Sequence, residues 1–240
     1  MEPRLAGLDG IFVIHCKTGY EDRARSIEKQ LAALPAGFEY VLDKDANELS
    51  AADKAWISPE LSPGTQSVLC KHRLAHQMAY ERGYQRCLIL EDDVLLSRDF
   101  SLQLVSVLEE SRTLGEDHTI FLSSACHMYT PRSRLRKGTQ LYEHEASRAA
   151  DSYILTHTAS ERRLAWFETH QANWPIDHLF NHMDPEIGLK FLWLGDPIVE
   201  QGSENGTFTS WVEGNPPPWL TAAKWKAEKF YKKHILRNLK

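Results

Sequence analysis

Apolar residues along the chain follow two periods, one typical of buried strands and one typical of amphipathic helices. Short continuous apolar runs bounded by turn residues predict strands, and apolar residues spaced three or four apart predict helices. The predicted strands cover 11–15, 38–42, 87–91, 120–123, 152–155 and 191–194, and the predicted helices cover 21–34, 66–82, 100–111, 160–170 and 176–183. The polar segment 43–65 carries no clear pattern. This alternation predicts an α/β fold with a largely parallel sheet between helices.

A change of composition near the carboxyl end divides the sequence. The run Asn215-Pro-Pro-Pro-Trp predicts a linker between a body at 1–214 and a basic helix within 215–240. Residues 221–240 hold seven Lys or Arg residues and one Glu, a balance of 7 − 1 = +6, within a chain of net charge −5. Trp225, Phe230 and Tyr231 lie among these bases. The helix therefore either rests on an anionic membrane or packs its aromatic side chains on the body.

Composition limits the class of protein. A hydrophobic content of 42% and a charged content of 25% are typical of a globular protein, and 240 residues suit one large α/β domain or a domain with an appendage. The negative net charge argues against nucleic-acid binding. No run approaches the ~20 apolar residues of a membrane span, and no signal peptide is visible. The four cysteines show no close spacing, which favours a reducing compartment. We therefore expect a cytoplasmic protein, peripheral at a membrane if the basic helix binds lipid.

The clearest chemical signal is the acidic run Glu91-Asp92-Asp93, which directly follows the apolar segment Cys87–Leu90. Ligands of open parallel sheets bind at the carboxyl ends of strands. Because strand side chains alternate, Glu91 and Asp93 should face one way and Asp92 the other. Two carboxylates on one side repel each other unless a cation lies between them, and hard oxygen ligands favour Mg²⁺ or Mn²⁺. The alternative is an acidic turn that only solubilises the strand end.

Several short motifs, taken in order, resemble those of glycosyltransferase family 25, the lipooligosaccharide and collagen galactosyltransferase group. The run 88–94 resembles the acidic motif of that family. Each of the other motifs is weak alone, but together they span roughly residues 11 to 210. They are Ile11–His15 with Glu21-Asp22-Arg23, Gly64 through Cys70-Lys-His72, Ser152–Leu155, Trp174–Asp177 and Pro197–Gln201.

The resemblance implies a GT-A-like fold, with a Rossmann-type nucleotide-binding sheet flanked by helices. It also implies a nucleotide-sugar donor, UDP-galactose or UDP-glucose, and a divalent metal, Mn²⁺ or Mg²⁺. The expected reaction is an inverting transfer onto a hydroxyl group of a glycan or glycolipid acceptor such as a lipooligosaccharide. A metal-dependent nucleotidyl- or phosphotransferase, and a degenerate nucleotide-sugar-binding domain, remain as alternatives.

Roles for individual residues follow from the acidic run and the resemblance. Asp93, Glu91 and Gln201 are the expected metal ligands, with Gln201 standing where collagen-type members carry a His. Asp177, at a predicted helix start, is the first candidate for the general base, and Asp151 is the second. Capping or electrostatic stabilisation of that helix N-terminus by Asp177 is the structural alternative. The residues expected on the donor side are Arg23, His15, His72 and Asp92.

Overall fold

The computed structural model describes residues 5, 7–125, 127–208 and 218–239. Cys126 and residues 215–217 of the linker predicted at 215–219 lie outside these ranges, whereas Pro218 and Trp219 already belong to the terminal helix and not to a linker. The predicted division at residue 214/215 also falls among residues that are not described, so it stays a prediction.

A seven-stranded sheet forms the centre of the molecule, in the order β2-β1-β3-β7-β5-β8-β6. Five strands run in one direction, because the pairs β1–β2, β1–β3 and β5–β8 are parallel, whereas β7 and β6 run the opposite way. The fold is therefore α/β with a mostly parallel, Rossmann-like sheet, as predicted. The strands are β1 (Gly10–Ile14), β2 (Glu39–Val41), β3 (Arg86–Glu91), β5 (His118–Phe121), β6 (Leu141–His144), β7 (Ser152–Thr156) and β8 (Lys190–Leu194).

Helices cover both faces of this sheet, which explains why its central strands are continuously apolar. In β1, Phe12 and Ile14 enter one core, while Ile11 and Val13 enter the other. The second core packs under α1 (Glu21–Leu31) and α4 (Phe100–Ser111). The first core packs under α3 (Pro63–Glu81), α5 (His157–Phe167) and α6 (Ile176–Glu186).

Two predicted helices begin earlier than expected because hydroxyl side chains cap them. The side chain of Ser62 accepts from the Thr65 amide, and Pro63 follows it, so α3 begins at residue 63 and not 66. The side chain of Thr156 accepts from the Ala159 amide, so α5 begins at residue 157 and not 160. Conversely, the helix predicted to reach residue 34 ends at Leu31.

Four short elements carry too few residues for a periodic signal. A two-stranded antiparallel sheet joins β4 (Val94–Leu96) to β9 (Val199–Gln201), and α2 (Ala51–Ala55) begins with a capping box formed by Ser50 and Asp53. The fourth element, the edge strand β6, pairs only with β8. The small sheet matters most here, because it begins directly after the acidic run.

The basic carboxyl-terminal segment is helical and docks on the body. It consists of α7 (Pro218–Phe230), a π-helical turn (Tyr231–Leu236) and a final helical turn (Arg237–Leu239). The Trp225 ring lies 4.9 Å from the His127 ring, and Lys229 forms an ion pair with Glu200. Trp225 therefore faces the body, as in the second of the two alternatives that the sequence left open for this helix. Within the ranges that the structure describes, none of the helices is both long and apolar enough to cross a bilayer.

Candidate functional site

The candidate site lies at the carboxyl edge of strands β1 and β3. The two strands are parallel with Ile14 opposite Glu91, so the residues that follow them, His15 and Asp92, leave the sheet side by side. Strand β7 runs antiparallel to β3, and the Glu91 amide donates to the Asp151 carbonyl oxygen at 2.7 Å. The topology thus brings together acids that are sixty residues apart in sequence.

Asp92 is held between two cationic or potentially cationic groups on the α1 side of the sheet. Its carboxylate lies 2.6 Å from Nδ1 of His15 and accepts from an Arg23 guanidinium nitrogen at 3.1 Å. The Arg23 guanidinium also lies over the Tyr20 ring, 4.6 Å from its centroid. These bonds fix Arg23 and His15 at the strand ends, so three of the four residues expected on the donor side meet in one cluster.

Glu91 faces the opposite side of the sheet, towards α3. Its carboxylate lies 3.4 Å from Nε2 of His72, and Nδ1 of His72 lies 2.9 Å from the hydroxyl of Tyr153. The same hydroxyl lies 2.8 Å from Nε2 of His76. Burial lowers the pKa of His72 to about 3, so this imidazole is neutral and supports Glu91 by a hydrogen bond and not by charge.

Asp93 is buried under the turn that follows β9. The Gly202 amide donates to the Asp93 carbonyl oxygen at 2.7 Å, and Val94 pairs with Gln201 in the small sheet. Gln201, the predicted third ligand, is therefore a close neighbour of Asp93 along the two strands. One carboxyl oxygen of Asp93, Oδ1, is buried and has no hydrogen-bond partner among the described residues.

The carboxylates raise each other's pKa. Burial, together with the charges of Asp93 and Asp92, raises the pKa of Glu91 to about 8. Burial and the charge of Glu91 raise the pKa of Asp151 to about 8. Burial likewise raises the pKa of Asp93. Such shifts indicate several acids in one water-poor site, which is a common property of functional sites.

The two candidate bases differ in access. Asp151 is buried, and its Oδ2 has no hydrogen-bond partner within the described part of the chain. Asp177, the second residue of α6, is half-buried. The charge of Asp177 acts on both Glu91 and His72, so it lies on their side of the sheet. Pro175 occupies the capping position of α6, so Asp177 is not its N-cap residue, but Asp177 lies in the first turn, where a negative charge stabilises the helix N-terminus.

A divalent cation suits this site through its charge and its unpaired oxygens. A cation would relieve the repulsion that raises the pKa of Glu91, and would give a partner to the buried oxygens of Asp93 and Asp151. Across residues 5, 7–125, 127–208 and 218–239, no three His, Cys, Asp or Glu side chains are already arranged as a ligand set. Mg²⁺ is typically held by one or two carboxylates together with substrate phosphates, and such a site would not need a third protein ligand.

Sequence reasoning missed three supporting groups. Tyr153, recognised only as part of a strand, bridges His72 and His76 beneath Glu91. Ser203 hydrogen-bonds Asp93 and partly offsets its raised pKa. Buried Lys71 forms an ion pair with Asp45 at 3.0 Å, close to Cys16. The alternation of β7 could have indicated Tyr153, but the other two contacts depend on loops without a pattern.

Two cavities lie near Trp193, away from the acidic site at Glu91 and Asp93. One, of about 290 Å³, is lined by residues that include His127, Tyr129 and Arg237, beside the carboxyl-terminal helix. The other, of about 610 Å³, lies by Arg134 and His144. Neither is lined by Glu91 or Asp93, so the acidic site is not part of either cavity.

The comparisons with known proteins do not identify this site. No protein-family model matches the chain, and no curated protein matches it.

Proposed function

We propose that the protein is a metal-dependent inverting glycosyltransferase of GT-A-like fold. It would move a hexose, most simply galactose from UDP-galactose, onto a hydroxyl group of a glycan acceptor such as a lipooligosaccharide. One observation carries the proposal: Glu91, Asp93 and Asp151 gather at the carboxyl edge of the sheet, where Asp93 and Asp151 each have a buried oxygen without a hydrogen-bond partner among the described residues. The resemblance of the ordered motifs to glycosyltransferase family 25 supplies the donor and the acceptor class.

The donor side of the proposed site carries both signs of charge. Asp93 and Glu91 would hold Mn²⁺ or Mg²⁺, with Gln201 as a neutral third oxygen, and the metal would act as a Lewis acid on the diphosphate. Arg23 is held by Asp92 at the same edge, and its planar guanidinium suits phosphate oxygens. Asp92 then positions Arg23 and His15 and does not itself need to bind the metal.

Inverting transfer needs a base for the acceptor hydroxyl proton. We favour Asp177 because it is half-buried and can be reached by a bound acceptor, whereas the carboxyl group of Asp151 is enclosed. Asp151, beside Glu91, then belongs to the acidic cluster on the metal side. The donor sugar and the acceptor rest on the resemblance alone.

A thermal-shift panel tests the proposal. UDP-galactose or UDP-glucose with Mn²⁺ should raise the melting temperature by roughly 5–10 °C at about 100 times the dissociation constant. The rise should vanish with EDTA and in Asp93→Asn. The matched control is Asp99→Asn, since Asp99 is exposed and lies outside the acidic cluster.

The outcome separates the proposal from its alternatives. Release of UDP in the presence of a glycan acceptor, lost in Asp93→Asn and kept in Asp99→Asn, supports glycosyl transfer. Stabilisation by a nucleoside triphosphate with metal, and not by UDP-sugars, indicates a nucleotidyl- or phosphotransferase. Stabilisation by a UDP-sugar without turnover of any acceptor indicates a binding domain.

A further inference from the structure

The carboxyl-terminal helix exposes an unusual number of large apolar side chains. Of the twelve such side chains that are exposed in the described parts of the chain, six lie within residues 219–239. Trp219 is 71% exposed, Phe230 is 62% exposed and Leu239 is 76% exposed. Single exposed apolar residues are ordinary on protein surfaces, but a contiguous set usually marks an interaction surface. The six are Trp219, Leu220, Phe230, Tyr231, Ile235 and Leu239.

In α7 these side chains share one face. At 100° per residue, Phe230 lies about 20° from Trp219, Leu220 about 100° and Tyr231 about 120°. Ala223 and Ala227 fall within the same arc, at about 40° and 80°, and both are exposed. The exposed face of α7 is thus apolar over roughly a third of its circumference, as in interfacial helices.

The π-helical turn keeps the apolar face continuous beyond α7. A π turn holds one more residue than an α turn, so it sets the following residues back by roughly 100°. Ile235 then lies about 60° and Leu239 about 100° from Trp219, inside the same arc. The apolar face therefore extends from residue 219 to residue 239.

The same turn returns Arg237 to the docked side of the helix. In an unbroken α-helix Arg237 would lie roughly 120° from Trp225, and the π turn reduces this to roughly 20°. Arg237 donates to the carbonyl oxygens of Thr130 at 2.8 Å and Gly195 at 2.5 Å, and to the Asp196 carboxylate. Docking through Trp225 and Arg237 thus turns the apolar face away from the body.

Lysines border the apolar face on both sides. Lys226 lies about 20° beyond Trp219, and Lys224 lies about 20° beyond Tyr231. Both are exposed, and Glu228 is the only acid within residues 218–240. A lysine on each border can keep its ammonium group among lipid headgroups while its stem lies along apolar surface. A protein partner would need acids that match both borders, whereas an anionic lipid surface supplies negative charge at every point.

We propose that this face, from Trp219 to Leu239, binds the surface of an anionic lipid bilayer. The helix lies in the headgroup layer with its aromatic and aliphatic side chains inserted. Its docked side holds the rest of the protein against the membrane. This inference does not depend on the proposed enzymatic activity, because it rests only on the exposed face, its bordering lysines and its docking contacts.

Vesicle co-sedimentation of the full-length chain tests the proposal without any nucleotide. The protein should bind phosphatidylglycerol-rich vesicles at least tenfold more tightly than phosphatidylcholine vesicles, and high salt should weaken the binding. The double variant Trp219→Ser/Phe230→Ser should lose at least tenfold in affinity for the anionic vesicles. The matched control is Leu102→Ser, because Leu102 is 76% exposed on α4, away from this face.

Three results would overturn the proposal. One is equal vesicle binding by Trp219→Ser/Phe230→Ser and wild type, with unchanged circular dichroism in both. Another is equal binding to anionic and neutral vesicles. The third is a dimer in analytical ultracentrifugation that the double variant abolishes while vesicle binding is negligible, since the face would then serve a second copy of the chain.

Discussion

At the residue scale, the acidic run combines three carboxylates with three different environments. Asp92 is paired with Arg23 and His15, Glu91 touches a neutral His72, and Asp93 is buried with one unpaired oxygen. Asp92, in the turn after β3, holds the Arg23 guanidinium in place, whereas burial raises the pKa of both Glu91 and Asp93. This division of roles depends on the side chains that arrive from β1, α1 and α3.

The raised pKa of Glu91 makes the metal-free protein sensitive to pH. The unfolded chain releases the Glu91 proton near pH 4.5, and the folded chain releases it near pH 8. Between these values the folded state binds more protons, so its stability falls as the pH rises. In EDTA, Glu91→Gln should therefore melt higher than wild type by roughly 2–4 °C at pH 8, the shift that about 1 kcal/mol produces in a protein of this size.

The same comparison at pH 4.5 should show little difference between Glu91→Gln and wild type, because the folded state is then protonated and the unfolded state half protonated at this position, which leaves a linkage free energy of only about 0.4 kcal/mol. Glu109→Gln serves as control, since Glu109 is exposed on α4. A constant difference in melting temperature between wild type and Glu91→Gln from pH 4.5 to pH 8 would contradict the argument.

At the element scale, the turn after β9 determines where Asp93 lies. A Cβ atom at Gly202 would come 2.4 Å from Cδ2 of Phe208 and 2.7 Å from the Asp93 carbonyl oxygen. The Phe208 ring in turn faces the Arg23 guanidinium at 5.8 Å. The turn therefore links both sides of the candidate site, and it can approach Asp93 closely only because residue 202 lacks a side chain.

We expect Gly202→Ala to lower the free energy of unfolding by about 1–3 kcal/mol, the usual cost of overpacking. It should also weaken metal-dependent UDP-sugar binding, because Asp93 must move. Urea unfolding and the thermal-shift panel measure the two effects. Gly64→Ala is the control, since a Cβ there meets nothing closer than 3.9 Å. Equal UDP-sugar binding by Gly202→Ala and wild type would show that the turn after β9 does not determine how Asp93 contributes to donor binding.

The elements that the sequence predicts well are strands buried on both faces and a long amphipathic helix. Strands β1 and β3 and helix α4 have long apolar patterns, and the structure confirms them with end shifts of at most one residue. Strands β4 and β9 have three residues each, too few for a period, and their pairing is a contact between distant segments. The sequence also did not indicate that β7 is antiparallel, because a buried strand is apolar in either direction.

The candidate site also has features that the sequence could predict and features that it could not. The acidic run was predictable, since its acids directly follow an apolar strand. The electrostatic interaction between Glu91 and Asp151 was not predictable, because it depends on how β7 aligns with β3. Arg23 and His15 were expected near the donor, but their bonds to Asp92 required the parallel register of β1 and β3. The local sequence pattern identifies candidate site residues, and the register of the sheet determines which of their side chains are in contact.

At the scale of the whole molecule, the sheet separates two cores, and buried histidines make the structure sensitive to acid. His118, at the start of β5, is buried, and neither ring nitrogen has a hydrogen-bond partner among the described residues. Burial, together with the charge of Arg86, lowers its pKa to about 4. Between pH 6.5 and 4 the unfolded state binds the extra proton, so stability falls as the pH falls.

Replacing His118 should reduce this acid sensitivity. Between pH 7.5 and pH 5, His118→Gln should lose about 1–2 kcal/mol less free energy of unfolding than wild type, measured by urea titration. His178→Gln is the control, because His178 is exposed on α6. If His118→Gln and wild type lose stability in parallel, then protonation of His118 is not a source of the acid sensitivity.

The π-helical turn at Tyr231–Leu236 has a consequence for how the end of the chain can change over evolution. Removing any single residue from this turn would restore regular winding and swing Arg237 by roughly 100°, away from its three oxygen partners. Exchanging an outward-facing side chain leaves that anchor in place. For its docking on the body, the terminal segment should therefore accept substitutions on its outward face more readily than insertions or deletions, so its length is under tighter constraint than the identity of any one outward residue.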